Sequence, residues 1–237
     1  MAFAGWGRKA SRAAGAAILL AAATSAAANV LVVRSQGQAA RTYRPGMSLG
    51  DDASVTLAAN DSVVVLGARG TRTFRGPGTF RVAGPIQALA YSNALGRQGQ
   101  RSRIGAVRGR GAPPAPDIWQ VDVSRDGPVC IANPTGVTLW RPNADSVATL
   151  TVGQAGGNDP VALPWAQGQH TAAWPSSLPL QSGAEYELRA APERPATRIR
   201  VAGVVAPSVS NLELAAAFIA NGCQAQLDRL IDTTPEG

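Results

Sequence analysis

Residues 55–80, VTLAANDSVVVLGARGTRTFRGPGTF, decide the fold. Two short apolar runs, at 55–57 and 63–66, lie on either side of an Asn-Asp turn signal, and this pattern predicts β-strands. Farther along, Phe74 and Phe80 flank Gly76-Pro77-Gly78, which predicts a hairpin or a sharp strand corner. Arginines recur here but do not share one face of a strand. The turn chemistry therefore favours a scaffold role over an anion-binding loop.

The N-terminal segment predicts export. Three basic residues precede the run AAGAAILLAAATSAAA, which ends in small residues, as in a secretory signal peptide covering residues 1–28. The expected cleavage lies between Ala28 and Asn29. An uncleaved anchor is the alternative, but the run is short and rich in alanine for a membrane-spanning helix. We expect a periplasmic or secreted protein.

Charge and composition limit the partners. Without residues 1–28 the chain keeps 19 of its 22 basic residues and all 15 acids, so the mature protein is only mildly basic. All of those bases are arginines, and aromatic residues make up only 5% of the chain. Nucleic-acid recognition needs stacking aromatics or a groove-reading helix. We therefore expect no nucleic-acid partner.

The chain divides into segments of different character. Residues 29–92 are predicted to form a small all-β module, and residues 93–116, rich in glycine, arginine and proline, a linker. Residues 117–205 contain alternating and short apolar runs typical of an immunoglobulin-like β-sandwich; SVATLTV, TAAWP and AEYELRAA are three of its expected strands. Residues 208–232 are predicted to be helical. The expected fold class is mainly β with a C-terminal α-helix.

The predicted linker holds the strongest local excess of positive charge. Residues 62–116 contain no acid at all. A flexible basic loop can bind an anionic lipid, lipopolysaccharide or a protein partner by charge alone, whereas the simpler alternative is a solvated loop. The candidate contact residues are Arg97, Arg101, Arg103, Arg108 and Arg110.

The C-terminal segment has a helix-start signal and an apolar stripe. Ser210 and Glu213 form a capping-box pattern. Apolar residues then recur at spacings of three and four, which predicts one amphipathic helix, or two short helices broken at Asn221-Gly222. The predicted stripe consists of Leu212, Ala216, Ile219, Cys223, Leu227 and Leu230.

Two cysteines, Cys130 and Cys223, are present in the chain. In an oxidising compartment such a pair is more often a disulfide than a metal site. The bond would join a strand to the C-terminal helix and stabilise the fold by roughly 4–5 kcal/mol. Two free, buried thiols are the alternative.

Catalytic motifs are absent from the sequence. His170 is the single histidine, there is no GxSxG motif, and no metal-ligand spacing occurs. We expect no enzyme activity, no cofactor and no metal.

The tryptophans of the second region suggest two roles. Trp119 and Trp140 lie in predicted strands and are expected to pack in the core. Trp165 and Trp174 lie beside prolines in turn-rich segments, and exposed aromatics mark interaction surfaces. These two are the candidates for a glycan-binding platform.

The motifs VLVVRSQG, YRPGMSL and residues 55–80 resemble the FecR-like periplasmic module, over about residues 30–83. The second region resembles the companion region of exported proteobacterial proteins of this type. The resemblance implies a non-catalytic envelope protein with a signalling or transport partner, such as an inner-membrane protein. The leading hypothesis is an interaction or signalling-accessory module, and the alternative is a glycan- or peptidoglycan-binding protein.

Overall fold

A computed structural model describes residues 29–83, 116–190, 195–206 and 210–237, together with Met1. Of the described residues, 42% are in strands and 15% in helices. The predicted mainly-β class with a helical C-terminal segment is confirmed.

The first module is built from two small sheets. Its elements are β1 (Asn29–Gln36), α1 (Ala39–Thr42), β2 (Ser48–Gly50), β3 (Ser54–Leu57), β4 (Ser62–Gly67), β5 (Gly70–Arg75) and β6 (Gly78–Arg81). One sheet has the strand order β2-β1-β4-β5 and the other pairs β3 with β6. The two sheets enclose a cluster of buried residues that includes Val32, Val55, Val65 and Phe74.

The Gly76-Pro77-Gly78 segment is a strand corner and not a hairpin. β5 pairs with β4, whereas β6 pairs with β3 in the other sheet. A Cβ on Gly76 would lie 2.0 Å from the carbonyl oxygen of Ala58, so only glycine fits there. Phe74 and Phe80, on either side of the corner, contact each other with ring centroids 5.6 Å apart. These phenylalanines therefore hold the two sheets together.

Asp61 closes the turns at one end of this module. Its carboxylate accepts hydrogen bonds from the backbone N–H groups of Gln38, at 2.6 Å, and Ala58, at 2.9 Å. A Cβ on Gly37 would lie 2.3 Å from the same carboxylate, and Gly37 has a positive φ of 76°. The hydrogen bond from Ala58 is the main cause that lowers the pKa of Asp61 below its ordinary value of 3.8, although burial opposes it.

Replacing Asp61 with asparagine tests this role. Because the folded-state pKa is depressed, the stabilisation is present above pH 3.8 and is lost as pH falls through the folded-state pKa. We expect Asp61→Asn to lower stability at pH 7 and to flatten the decline of stability as pH falls below 3.8. Urea unfolding across this range measures both effects. Asp52→Asn, an exposed aspartate of the same module, should change neither.

The second module is a sandwich of two sheets. Its strands are β7 (Gln120–Asp122), β8 (Gly127–Ile131), β9 (Thr138–Trp140), β10 (Ala148–Gln154), β11 (Val161–Trp165), β12 (Thr171–Ala173), β13 (Glu185–Arg189) and β14 (Thr197–Val204). The two sheets have the orders β11-β10-β13-β14-β8 and β12-β9-β7, and residues of both line one buried cluster. The pairs β8–β14 and β7–β9 are parallel, unlike the antiparallel sheets of the immunoglobulin fold.

The C-terminal segment forms two helices, α2 (Asn211–Asn221) and α3 (Gln224–Thr233). The capping box of Ser210 and Glu213 starts α2, and Gly222, with φ 71°, ends it in the left-handed conformation. The break that the sequence offered as an alternative is therefore confirmed.

The predicted apolar stripe is correct for the second helix but wrong for the first. Cys223, Leu227 and Leu230 are buried, as expected. In α2, however, the buried residues are Leu214, Ala215 and Phe218, while Ala216 is exposed and Leu212 and Ile219 are only half-buried. The spacing of three and four has no meaning across Gly222, because the two helices have different axes and each turns its own face to the core.

A third buried cluster joins the two modules to the helices. It combines Leu31 and Leu66 from the first module with Cys130 and Val205 from the second, around Phe218 of α2. The helices thus cover the outer face of the β2-β1-β4-β5 sheet. An ion pair of 2.5 Å between Arg34 of β1 and Asp228 of α3 lies at the edge of this contact.

Cys130 and Cys223 form the predicted disulfide. Their Cα atoms are 5.9 Å apart, and neither residue is accessible to solvent. The bond ties β8 to the residue that precedes α3.

Gln226 adds hydrogen bonds to the contact between β8 and α3. Its side-chain oxygen accepts the N–H of Cys130 at 2.7 Å, and its side-chain nitrogen donates to the carbonyl oxygens of Cys130, at 2.7 Å, and Ile118, at 2.8 Å. β8 is the last strand of its sheet. The amide of Gln226 therefore takes the place of a neighbouring strand at Cys130.

Candidate functional site

The first module is basic and the rest of the described chain is acidic. Residues 29–83 contain seven arginines and three aspartates, a formal charge of +4. The other described ranges contain six arginines and eleven acids, a formal charge of −5. Charge of one sign on one module attracts partners of the opposite sign.

Five of the seven arginines are exposed on the first module. None of them takes part in the ion pairs found within the described residues, which join Arg34 to Asp228 and otherwise connect residues of the second module. Their guanidinium groups are therefore available for a partner. The five are Arg41, Arg44, Arg69, Arg75 and Arg81.

The predicted contact set of the linker lies outside the described residues. Arg97, Arg101, Arg103, Arg108 and Arg110 all fall within residues 84–115. The structure therefore leaves their role as a sequence-based prediction.

A cavity of about 340 Å³ lies beside the turn that connects β4 to β5. Arg69 and Arg72 both line it, and Asp51 is the single acidic side chain among its described lining residues. Val30, Val65 and Val82 contribute apolar wall. The cavity thus combines two guanidinium groups with an apolar lining.

Arg72 is held firmly in this cavity. Its guanidinium donates a hydrogen bond to the carbonyl oxygen of Val82 and lies 5.3 Å from the centre of the Phe74 ring. Burial and, to a smaller extent, the charge of Arg69 lower the pKa of Arg72.

The backbone around Arg69 is fixed by residues 235–237. The N–H of Thr71 donates to the carbonyl oxygen of Pro235 at 2.9 Å, and the N–H of Gly237 donates to the carbonyl oxygen of Thr71 at 3.1 Å. A Cβ on Gly70 would lie 2.3 Å from the Pro235 oxygen, so glycine is required for this close approach. The backbone next to Arg69 is therefore held in place by residues 235–237.

The prediction that Trp165 and Trp174 form an exposed platform is wrong. Their exposed fractions are 3% and 9%, and both belong to the core of the second module. The indole N–H of Trp174 donates to the carbonyl oxygen of Leu178, and its ring packs edge-to-face on Tyr186. Trp165 ends β11, an outermost strand where the neighbouring proline is tolerated, so the proline did not indicate a loop. The predicted core positions of the other tryptophans are confirmed for buried Trp140, whereas Trp119 is half-buried against Phe218.

Arg141 and His170 have structural contacts. The buried guanidinium of Arg141 donates to the carbonyl oxygens of Gln169, Ser146 and Ala166, and it lies 5.0 Å from the centre of the Trp165 ring. His170 places its Nδ1 3.0 Å from the carbonyl oxygen of Arg141. These contacts fix the loop that contains His170.

The described ranges hold neither a metal-binding cluster nor a membrane-spanning helix. They contain no group of three His, Cys, Asp or Glu side chains arranged to hold a metal ion. No helix within them is long and apolar enough to cross a membrane.

Comparison with known proteins gave no relative. No protein-family model matches the chain, and no curated protein and no solved structure is significantly similar to it. The resemblance of residues 30–83 to the FecR-like module therefore stays a prediction from the sequence.

Sequence patterns missed three residues that the structure makes important. Arg69 and Arg72 look like scattered members of a basic run, and their shared cavity arises from the β4–β5 turn and from Val82 on another strand. Arg141 looks like one more exposed arginine. The turn signal Gly67-Ala-Arg-Gly70 between two predicted strands could have placed Arg69 at a hairpin tip, where exposed functional residues are common.

Proposed function

We propose that this protein is an exported, non-catalytic envelope protein that acts as an interaction or signalling-accessory module. In this proposal the first module contacts an acidic region of an envelope partner, such as an inner-membrane protein. The observation that supports it most directly is the segregation of charge between the basic first module and the acidic remainder. Trp165 and Trp174 are buried in the core, so they give no support to the alternative of a glycan-binding protein.

The rigid attachment of the first module fits this role. The third buried cluster, the disulfide and Gln226 fasten the module to the helices and to the second module. A binding surface on a fixed element loses less conformational freedom when a partner docks than a surface on a flexible one. The exposed arginines would thus meet a partner on a preorganised scaffold.

The location of the protein is part of the proposal. A buried disulfide is typical of proteins outside the reducing cytosol. Together with the predicted signal peptide it supports a periplasmic or secreted location. Sequencing the N-terminus of the protein recovered from the periplasmic fraction should give Asn29 as the first residue, and recovery only in the cytosol would contradict export.

A crosslinking pull-down from detergent-solubilised envelope tests the interaction. One variant changes Arg44, Arg75 and Arg81 to alanine, and a matched control changes the same number of exposed arginines in the second module. Three lost charge contacts of about 0.5 kcal/mol each weaken binding about tenfold. We expect this loss for the first-module variant only. The control positions are Arg125, Arg198 and Arg200.

Two outcomes would count against the proposal. An equal loss in both variants would mean that only net charge matters. Recovery of cell-wall fragments without any protein would exclude a protein partner.

A further inference from the structure

We propose that the envelope partner adds an extended, acidic segment to the outer edge of β5, in the place of residues 235–237. This inference rests on the proposed function, because it names the edge through which the first module binds its partner. β5 is the last strand of its sheet. Within the described part of the chain, its outer edge is paired with another segment only at Thr71.

Residues 235–237 show how a strand pairs with this edge. The N–H of Thr71 donates to the carbonyl oxygen of Pro235 at 2.9 Å, and the N–H of Gly237 donates to the carbonyl oxygen of Thr71 at 3.1 Å. One residue of β5 thus bonds to the two residues on either side of Glu236, which is the pattern of parallel strands. Because residues 235–237 are all exposed, an incoming strand can reach and displace them.

The unpaired edge continues beyond Thr71. β4 and β5 pair in one antiparallel register along the whole of β5, so the backbone groups of every second residue point to the same side. The N–H and C=O of Thr73 therefore point outward, as those of Thr71 do, and no described residue bonds to them there. A longer strand would gain these two hydrogen bonds. An open edge of this kind is a template for a strand from another chain.

The charge of the module determines the chemistry of the incoming strand. The first module has a formal charge of +4, and β5 itself contains arginine but no acid. Arg75, at the end of β5, is exposed. The residue that pairs with Thr71 in this structure is itself an acid, Glu236. An acidic segment is thus complementary to the edge.

A peptide titration of the full-length protein tests the edge. The probe is acetyl-TPEGTVE-amide, which repeats residues 234–237 and extends them along Thr73. Gly237→Pro removes the N–H that bonds to Thr71, and a Cβ at this position would lie 2.6 Å from the carbonyl oxygen of Arg69, so the variant releases residues 235–237. We expect saturable NMR shifts at the amides of Thr71 and Thr73, with an affinity about tenfold higher in the variant than in the native protein. No saturable shift in the variant would overturn the proposal.

A methylated peptide is the matched control. In the parallel register the N–H of the peptide's valine donates to the carbonyl oxygen of Thr73. N-methylation of that valine removes the donor and should weaken binding about tenfold. Equal affinities of the two peptides would show that the peptide does not pair as a strand.

Two variants of Thr73 carry the test to the partner. Proline is tolerated in an edge strand where the N–H faces outward, so Thr73→Pro keeps the pairing with β4 but blocks a new strand. Thr73→Val keeps the N–H. In the pull-down we expect Thr73→Pro to capture about tenfold less partner than the native protein and Thr73→Val to capture as much. An unchanged near-UV circular dichroism spectrum checks that both variants are folded.

The two experiments separate this inference from the proposed function. Equal capture of a partner by both Thr73 variants would keep the proposed function and overturn the edge as its binding site. Strand-like binding of the peptide by a protein that captures no partner would support the edge and count against the proposed function.

Discussion

Replacing both Cys130 and Cys223 with alanine is expected to lower the free energy of unfolding by roughly 4–5 kcal/mol. The cysteines are 93 positions apart, so the bond removes much of the freedom of the unfolded chain. Both residues are also fully buried in the cluster that joins the modules. Urea unfolding of the variant and of the native protein, monitored by tryptophan fluorescence, measures the difference.

Reduction provides the control for this prediction. A thiol reductant present throughout unfolding should destabilise the native protein by a similar amount and should leave the double-alanine variant unchanged. A native protein whose unfolding midpoint does not respond to the reductant would contradict a stabilising role for the disulfide.

The second large effect is expected for Gln226→Met. Methionine keeps a similar length and a good helix propensity, but it cannot form the three hydrogen bonds to the backbone of Cys130 and Ile118. Each buried backbone group left without a partner costs about 1–3 kcal/mol. We expect a loss of roughly 3–5 kcal/mol in the free energy of unfolding, measured by the same urea titration.

Gln224→Met is the matched control, two positions earlier at the start of the same helix. Gln224 is exposed, and its side chain donates to Asp228 on the surface. We expect its replacement to change stability by less than about 0.5 kcal/mol. Similar losses at the two positions would show that the bonds to β8 contribute little.

Local patterns predicted much of the fold. The runs at 55–57 and 63–66 became β3 and β4, the capping box became the start of α2, and the cysteine pair became the disulfide. Each of these signals depends on neighbouring residues or on simple pairing chemistry. This is why sequence alone was sufficient for them.

The wrong predictions concern residues whose burial depends on tertiary contacts. The stripe on α2 was assigned to the wrong face because its spacing was followed across the break at Gly222. Trp165 and Trp174 were expected at the surface because of adjacent prolines, yet the sandwich brings other strands over them. Gln226 gave no signal, since a polar residue in a helix is usually exposed. Its burial depends on β8, which lies about a hundred positions earlier in the chain.

The order in which parts of the chain leave the ribosome has a consequence for folding. The outer face of the β2-β1-β4-β5 sheet is covered by helices from the C-terminal part, and the Arg34–Asp228 ion pair spans 194 positions. Contacts this distant in sequence form slowly, because a long loop must close first. During synthesis the first module therefore exposes an apolar sheet face until almost the whole sequence has emerged.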